Sequence, residues 1–363
     1  MPRPPIVRAA FVLAACLAAA SPACAIEPWK LLAQTRKQTP QPPWPAGDER
    51  GMANQIGAAT FARCAWHLGQ PNAKSYELSQ LRSNTMPLSP FAGPYALKAK
   101  PTAGIPGTRH GFNSEAFNEG AEPAAQATQM DALGHFGFLG QPWDGKPPYP
   151  AQNLRYYGGL TQAEVKPDHD SPLLKLGIEK APPIVTSAVL LDAQAAAGRA
   201  LRAGELVSAK DIESMLRAQG LEKRGIQPGD VVYVRTGWGE HWRDPDTEKF
   251  YYAKAPGLAY DAAKFLGERR VVAVGLDTPF VDPVPEGMLE GKAGAAAGTP
   301  EGMPFAVHHH LLTQMGIHHI ENAKLDELAR DKVWTSCTII LPLRDKGAAG
   351  SPVRPVAIGA PAR

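Results

Sequence analysis

The sequence predicts an α/β fold, because short apolar runs rich in β-branched residues alternate with helical segments through its second half. The runs that indicate buried strands are residues 184–191, 229–235 and 271–277. Between them, residues 208–219 and 260–266 place apolar side chains at helical spacing. We find no internal repeat in the sequence. Strands that alternate with helices are typical of the α/β class.

The N-terminal quarter is less regular. Four prolines between positions 40 and 45 stand in a polar setting, which predicts an extended, proline-rich arm over residues 26–47. A domain is expected to begin near Asp48 and to extend over residues 48–345. Residues 346–363 are predicted to be a C-terminal tail.

Within this domain, residues 51–69 have helical spacing and Gly69 is placed to end the helix. A strand is expected from Tyr76. Five prolines interrupt residues 87–106, and residues 141–152 are again rich in proline and glycine, so both segments are predicted to be loops.

The second half shows clearer element boundaries. Ser208 and Asp211 form a capping-box pattern at the start of a helix that Gly220 ends. A loop rich in proline and glycine follows over residues 282–304. The remaining predicted elements are a helix over 307–315, a short strand over 317–320, a helical turn over 325–329 and a closing strand over 337–343.

Length and charge restrict the function. The chain has 363 residues, enough to bury a full core, and its 38 lysines and arginines against 35 acidic residues leave a net charge of +3. A balance so close to neutral argues against nucleic acid or an anionic membrane as the main partner. The sequence therefore favours a small-molecule partner.

The first 25 residues resemble a secretory signal peptide. Arg3 and Arg8 precede an apolar run over residues 9–20, and Ala23, Cys24 and Ala25 form a small-residue cleavage site. The run is too short to span a bilayer. A lipoprotein signal ending at Cys16 is a second interpretation. The expected location is the periplasm or the exterior of the cell.

Cys64 and Cys337 would remain after removal of such a signal. In an oxidising compartment they could form a disulfide. Two buried, unpaired cysteines are an equally good interpretation, since a sequence separation says nothing about geometry.

Residues 128–135 carry the first candidate site. On a strand, Gln129 and Asp131 would project from the same face, and His135 follows after a turn of small residues. Residues 308–310 are three histidines, and Glu321 follows. Imidazole and carboxylate groups are preferred by Zn²⁺ and Mn²⁺, and Asp131, His309 and Glu321 would leave positions open for water and substrate.

Each of these signals also has a structural interpretation. His135 could be an ordinary core or surface histidine, the three histidines a solvated helix start, and Glu321 an acid at a helix N-terminus. Arg235 and Asp277 lie at the ends of predicted strands and Trp143 lies in a loop, so each is a candidate for substrate binding or for packing.

In combination, these motifs resemble the cyclase family, which includes bacterial kynurenine formamidase and isatin hydrolase. Asp131 and His135 match the end of its histidine-rich signature, and His309 and Glu321 match its later histidine and glutamate, twelve residues apart. Further similar segments are residues 48–51 with Asn54, residues 229–238 and residues 274–279.

The resemblance implies a single large domain with the swivelling β/β/α fold, commonly a homodimer. It further implies that Asp131, His309 and Glu321 bind metal and that His135 donates or accepts a proton. Two further metal-binding histidines of the formamidases are replaced by Ala125, which cannot ligate, and Gln129, which offers a weak carbonyl ligand. We therefore expect one divalent ion, Zn²⁺ or Mn²⁺, and a doubtful second site.

The reaction implied first is hydrolysis of an arylformamide, in which N-formylkynurenine gives kynurenine and formate. Another cyclic amide, an ester or a lactone is the alternative, because a secreted location fits that cytosolic pathway poorly. A periplasmic binding protein without turnover is a hypothesis from a different class.

Overall fold

A curled, mixed β-sheet is the main element of the computed structural model, which describes residues 28–118 and 126–362. The predicted signal peptide and Ala125 lie outside the described residues. The strands are β1 (Lys74–Glu77), β2 (Ala96–Ala99), β3 (Ala103–Gly104), β4 (Gly111–Phe112), β5 (Glu115–Asn118), β6 (Gln129–Asp131), β7 (Ile184–Asp192), β8 (Leu206–Val207), β9 (Val231–Arg235), β10 (Gly257–Leu258), β11 (Ala273–Leu276), β12 (His318–Glu321), β13 (Thr335–Ile340), β14 (Gly350–Pro352) and β15 (Val356–Gly359).

Within the described residues, nine strands form this sheet as a half-barrel, in the order β1, β15, β13, β7, β9, β11, β12, β6, β14. The four central strands β7, β9, β11 and β12 run parallel. The flanking strands pair antiparallel. Of these, β7, β9 and β11 carry near-continuous apolar runs because both faces of the sheet are covered.

Helices cover the sheet. They are α1 (Pro28–Gln38), α2 (Ala58–Leu68), α3 (Gln162–Val165), α4 (Ala193–Ala197), α5 (Ala209–Ala218), α6 (Tyr260–Glu268), α7 (Ala306–His308) and α8 (Asp326–Arg330), with a π-helix over His309–Met315 directly after α7. On one face, Val232 and Val274 pack against Ile212 of α5 and Leu266 of α6. On the other, Tyr233 and Ile320 belong to a second buried cluster. The predicted α/β class is confirmed.

Most of the predicted elements form close to their expected positions. Ser208 caps α5, where its hydroxyl accepts a hydrogen bond from the Asp211 backbone N–H. The helix predicted over 51–69 is divided, with a 3₁₀ turn over Gly51–Gln55 before α2. The helix predicted over 307–315 is also divided, into one α-helical turn and the π-helix.

Two boundary predictions need correction. The arm over residues 26–47 is not wholly extended, since Pro28–Gln38 forms helix α1 ahead of the prolines, and a proline is tolerated at a helix start. Residues 346–363 are not a free tail, because β14 and β15 are strands of the main sheet. Strands of three and four residues are too short to produce a clear sequence periodicity.

A disulfide joins Cys64 of α2 to Cys337 of β13, with the two Cα atoms 4.4 Å apart. It links a helix near the start of the domain to a strand near its end. Of the two interpretations of these cysteines, a disulfide or two unpaired thiols, the structure has the disulfide. None of the described helices is both long enough and apolar enough to cross a bilayer.

Candidate metal centre

Strands β6 and β12 bring two predicted site segments together. They pair antiparallel, with Gln129 opposite Glu321. Side chains alternate along a strand, so Asp131 leaves the same face as Gln129. The Gln129 amide Nε2 donates a hydrogen bond to Glu321 Oε2 at 2.9 Å. Two residues 192 positions apart in the chain are therefore in direct contact.

Asp131 has an unusual environment for a carboxylate. Its side chain is 1% exposed, yet neither carboxylate oxygen has a hydrogen-bond partner among the described residues. His308 Nε2 and His319 Nδ1 lie 3.6 and 3.7 Å from Oδ2, beyond hydrogen-bond distance. A buried carboxylate without partners is costly, so this position is suited to a bound cation.

The His308 ring is held by Asp282. Its Nδ1 donates to Asp282 Oδ2 at 2.6 Å, and the same carboxylate accepts the backbone N–H groups of Val307 and His308. This arrangement directs Nε2 toward Asp131 and toward Glu321, whose Oε1 lies 3.5 Å away. A carboxylate that orients a histidine in this way is common behind metal ligands.

Glu321 is buried, and its Oε1 lies near the same Nε2 atom of His308 as Asp131 does. Besides the Gln129 amide, it accepts the backbone N–H of Val281 at 3.1 Å. The Gln129 carbonyl Oε1 is buried and has no partner among the described residues. It remains a weak candidate ligand.

His135 is the exposed member of the group. The ligand atoms of Asp131, His135 and His308 all lie within 4.8 Å of one another, close enough for one ion. His135 is exposed while the other two are buried. An imidazole at such an opening can exchange protons with water and with a substrate.

The structure places His308, and not His309, at this cluster. The His309 ring stacks on Phe138 with centroids 4.0 Å apart. At the position where the sequence predicts His309, the structure thus places His308 beside Asp131. The reason lies in the π-helix over His309–Met315, which accommodates an extra residue compared with an α-helix and lengthens the spacing from histidine to Glu321 from twelve residues to thirteen.

Sequence reasoning also missed three groups. Asp282 stands at the start of a loop and gave no periodic signal. His319 of β12 has Nδ1 3.7 Å from Asp131 Oδ2, and neither of its buried ring nitrogens has a hydrogen-bond partner among the described residues. His318 donates from Nδ1 to the Asp131 backbone carbonyl at 2.8 Å. The pair His318 and His319 on a short strand was the one available signal.

The pKa shifts follow from burial and from charge. Burial raises the pKa of the Asp131 carboxyl, but His135 and His308 outweigh it and lower this pKa to about 2. Burial and the charge of Asp131 raise the pKa of Glu321 well above its usual range. Burial lowers the pKa of His308, but Asp131 and Asp282 raise it well above its ordinary value. Three buried carboxylates around one imidazole therefore favour positive charge at this point.

A largely apolar cavity of about 600 Å³ has Phe305, a neighbour of His308, in its lining. Phe91, Met288 and Phe305 are part of its lining. The Phe305 ring lies 5.9 Å from that of His308, and the Phe136 ring lies 5.3 Å from the same imidazole. Two phenylalanine rings are therefore neighbours of the His308 imidazole.

The three candidate substrate residues lie in other interactions. Arg235 pairs with Asp192 at 3.3 Å and with Asp326 at 3.4 Å. The Asp277 carboxylate accepts hydrogen bonds from Thr236 and the backbone of Gly237 and Gly239, and burial raises its pKa to about 6. The Trp143 indole N–H donates to the Lys146 carbonyl within an exposed loop. All three side chains thus have polar partners within the described chain.

The family follows from a match to the sequence. A family model described as "Putative cyclase" matches residues 48–283, more than half of the 363-residue chain. This protein belongs to the cyclase family. The matched segment includes Asp131, His135 and Asp282, whereas His308 and Glu321 follow it.

Curated relatives share part of this cyclase-family chain. The kynurenine formamidase of Bacillus thuringiensis (strain Al Hakam) is 32% identical over 167 residues, which cover 46% of this chain and 65% of the relative. The kynurenine formamidase of Bacillus cytotoxicus is 38% identical over 149 residues, covering 40% and 58%. The chain thus spans less than two thirds of the length of these curated relatives.

Solved structures share the fold. The crystal structure of a novel cyclase matches with a TM-score of 0.68 at 23% identity, covering 86% of this chain and 97% of that one. Isatin hydrolase A from Ralstonia solanacearum matches with a TM-score of 0.53 at 20% identity, covering 81% and 95%. The predicted fold of this cyclase-family protein is confirmed by these matches.

The donors of this cyclase-family site fit a divalent metal. Carboxylate oxygens and imidazole nitrogens are ligands of Zn²⁺ and Mn²⁺. The unpartnered oxygens of Asp131 and the Asp282-held ring of His308 supply both types. A cation here would also balance the buried carboxylates.

Proposed function

We propose that this protein is a metal-dependent hydrolase of an amide-type bond in a small aromatic substrate. The observation that carries the proposal is the buried, unpartnered carboxylate of Asp131 beside the oriented Nε2 of His308. Membership of the cyclase family and the names of its relatives support a hydrolytic reaction.

The ligands we propose are Asp131, His308 and Glu321, which would hold one Zn²⁺ or Mn²⁺ ion. His308 Nε2 lies 3.6 Å from Asp131 Oδ2 and 3.5 Å from Glu321 Oε1. A metal ion in such a site polarises a carbonyl group and lowers the pKa of water. Gln129 would orient Glu321 through its amide N–H.

We assign the proton transfers to His135. Its ring is close enough to Asp131 and His308 to act on a substrate bound there, and it is exposed to solvent. It would accept a proton from the water molecule that attacks the carbonyl carbon. It would then donate a proton to the leaving nitrogen as the amide bond breaks.

The aromatic lining supports an aromatic substrate. Phe136 and Phe305 flank His308, and the cavity beyond Phe305 is largely apolar. N-formylkynurenine, which would give kynurenine and formate, is the first candidate, because the curated relatives are kynurenine formamidases. A cyclic amide such as isatin, an ester or a lactone is the alternative, since isatin hydrolase shares the fold.

The cellular location and the assembly are also proposals. The Cys64–Cys337 disulfide supports a periplasmic or secreted protein, because such bonds persist in oxidising compartments. A homodimer stays a prediction from the family resemblance.

A substrate panel tests the proposal. The purified chain is stripped with a chelator, reloaded with Zn²⁺ or Mn²⁺, and assayed on N-formylkynurenine, isatin and an aromatic lactone. We expect hydrolysis of at least one compound that disappears on chelation and returns with metal. Binding of these compounds without turnover by the loaded protein would instead support a non-catalytic binding protein.

A further inference from the structure

A second cavity, of about 450 Å³, lies between helix α1, helix α2 and the turn that follows α5. Its described lining includes no residue of the candidate metal centre. Its walls are mostly apolar and include Leu32, Trp66 and Leu221. It is therefore a separate pocket that the proposed hydrolysis does not use.

Arg63 forms part of the lining of this cavity. Its side chain is 1% exposed. Nε donates to the Ser187 hydroxyl at 2.8 Å and Nη2 donates to the Pro228 carbonyl at 2.8 Å. Nη1 is buried and has no partner among the described residues. A buried guanidinium N–H without an acceptor is costly, so this atom marks a place for an oxygen ligand.

The carboxylate nearest to Arg63, that of Asp230, also interacts with other groups. Asp230 lies 3.7 Å from Arg63 Nη2 and also accepts hydrogen bonds from Arg224, Ser187 and the backbone of Gln227. One buried carboxylate thus faces two guanidinium groups. The charge of the pair Arg63 and Arg224 exceeds that of Asp230 by one unit.

The rim adds further positive charge. Arg36 of α1 and Lys223 both line the cavity and are exposed. The described lining contains no aspartate or glutamate. His67 in the same lining is neutral near pH 7, because burial and the charge of Arg224 lower its pKa to about 3. The pocket therefore combines a cationic side with apolar walls.

We propose that this cavity binds a small organic monocarboxylate with an aromatic or aliphatic body. The carboxylate would accept from Arg63 Nη1, and the apolar part would pack against Trp66 and Leu221. Charge-assisted hydrogen bonds to a buried guanidinium favour an anion over a neutral analogue of the same shape.

Calorimetry with 3-phenylpropanoate and its neutral amide tests the proposal. The protein is the metal-stripped Asp131→Asn chain, so that the metal centre cannot bind the carboxylate. We expect saturable binding of one carboxylate per chain, with the amide about tenfold weaker or more. No saturation by about 10 mM carboxylate, or equal affinity for the amide, would overturn the proposal.

Three variants locate the binding. Leu221→Trp fills the cavity and should weaken binding by about tenfold or more, and Lys223→Glu reverses a rim charge and should weaken it several-fold. Lys210→Glu makes the same charge change at an exposed position outside the lining and should leave the affinity within about twofold. Binding that both cavity variants leave unchanged would contradict the site.

Discussion

His308 Nδ1 lies 2.6 Å from Asp282 Oδ2, and this contact directs the opposite ring nitrogen toward Asp131. Asp282 is itself fixed by the backbone N–H groups of Val307 and His308. A carboxylate that is buried and held by the helix start can set both the orientation and the tautomer of the imidazole. The proposed metal site therefore depends on a residue that would not touch the metal.

Asp282→Ala should weaken metal binding about 10- to 100-fold, because the His308 ring loses its orienting acceptor. Competition with a chelator of known affinity measures the change. Asp168→Ala, at an exposed position, is the matched control and should bind metal normally. Unchanged affinity in a correctly folded Asp282→Ala protein would show that the contact does not support the site.

His135→Ala should lower kcat by about 10²- to 10⁴-fold while the metal content stays unchanged, because the proposed proton carrier is removed and the proposed ligands remain. Steady-state kinetics and metal analysis of the same sample measure both effects. His169→Ala removes a histidine that is almost fully exposed and should have no effect. Loss of metal from His135→Ala would make this residue a ligand and would remove the assigned role.

The disulfide should contribute to stability. Replacing both Cys64 and Cys337 with alanine should lower the free energy of unfolding by about 2–4 kcal/mol, because the unfolded chain loses a cross-link between distant positions. Urea denaturation measures the difference. A reductant should produce a similar loss in the wild-type protein and none in the double variant. Equal stability of the two oxidised proteins would contradict this contribution.

His67 should make the protein less stable in acid. Burial lowers its pKa from 6.5 to about 3, so between these values the unfolded chain binds a proton that the folded chain does not. Above pH 6.5 the ring is neutral in both states and does not reduce the free energy of unfolding. As the pH falls from 6.5 toward 3, the free energy of unfolding decreases. The slope approaches about 1.4 kcal/mol per pH unit for one such proton.

Unfolding of His67→Gln by urea at several pH values between 6.5 and 4 tests this linkage. The variant should show a smaller loss of stability with acid than the wild-type protein. His169→Gln should keep the wild-type slope, since that side chain is exposed. Parallel pH profiles for wild type and His67→Gln would refute the expected linkage.

Much of the fold could be predicted because its central strands are continuous apolar runs. Composition predicts strands over residues 184–191 and 229–235, and the structure places them side by side and parallel as β7 and β9. The short strands β14 and β15 could not be predicted, since their place in the sheet depends on tertiary pairing with β6 and β13. Helix α1 was not predicted, because the prolines that follow it favour an extended arm over the whole segment.

The candidate site was predictable in part, because several of its residues lie in recognisable motifs. The resemblance predicts that Asp131 and Glu321 belong to one site, and the structure brings their strands together with Gln129 opposite Glu321. The choice between His308 and His309 depends on a π-helix, and the sequence pattern does not reveal the extra residue. Asp282 reaches His308 from a loop whose path is set by the rest of the fold.

Metal content of neighbouring histidine variants tests the central claim most directly. His308→Ala and His309→Ala are purified side by side, reloaded with Zn²⁺ or Mn²⁺ and analysed for metal per chain. The geometry predicts that His308→Ala loses the ion, whereas His309→Ala, which removes a ring stacked on Phe138, retains it. Metal retained by His308→Ala and lost from His309→Ala would contradict the proposed centre.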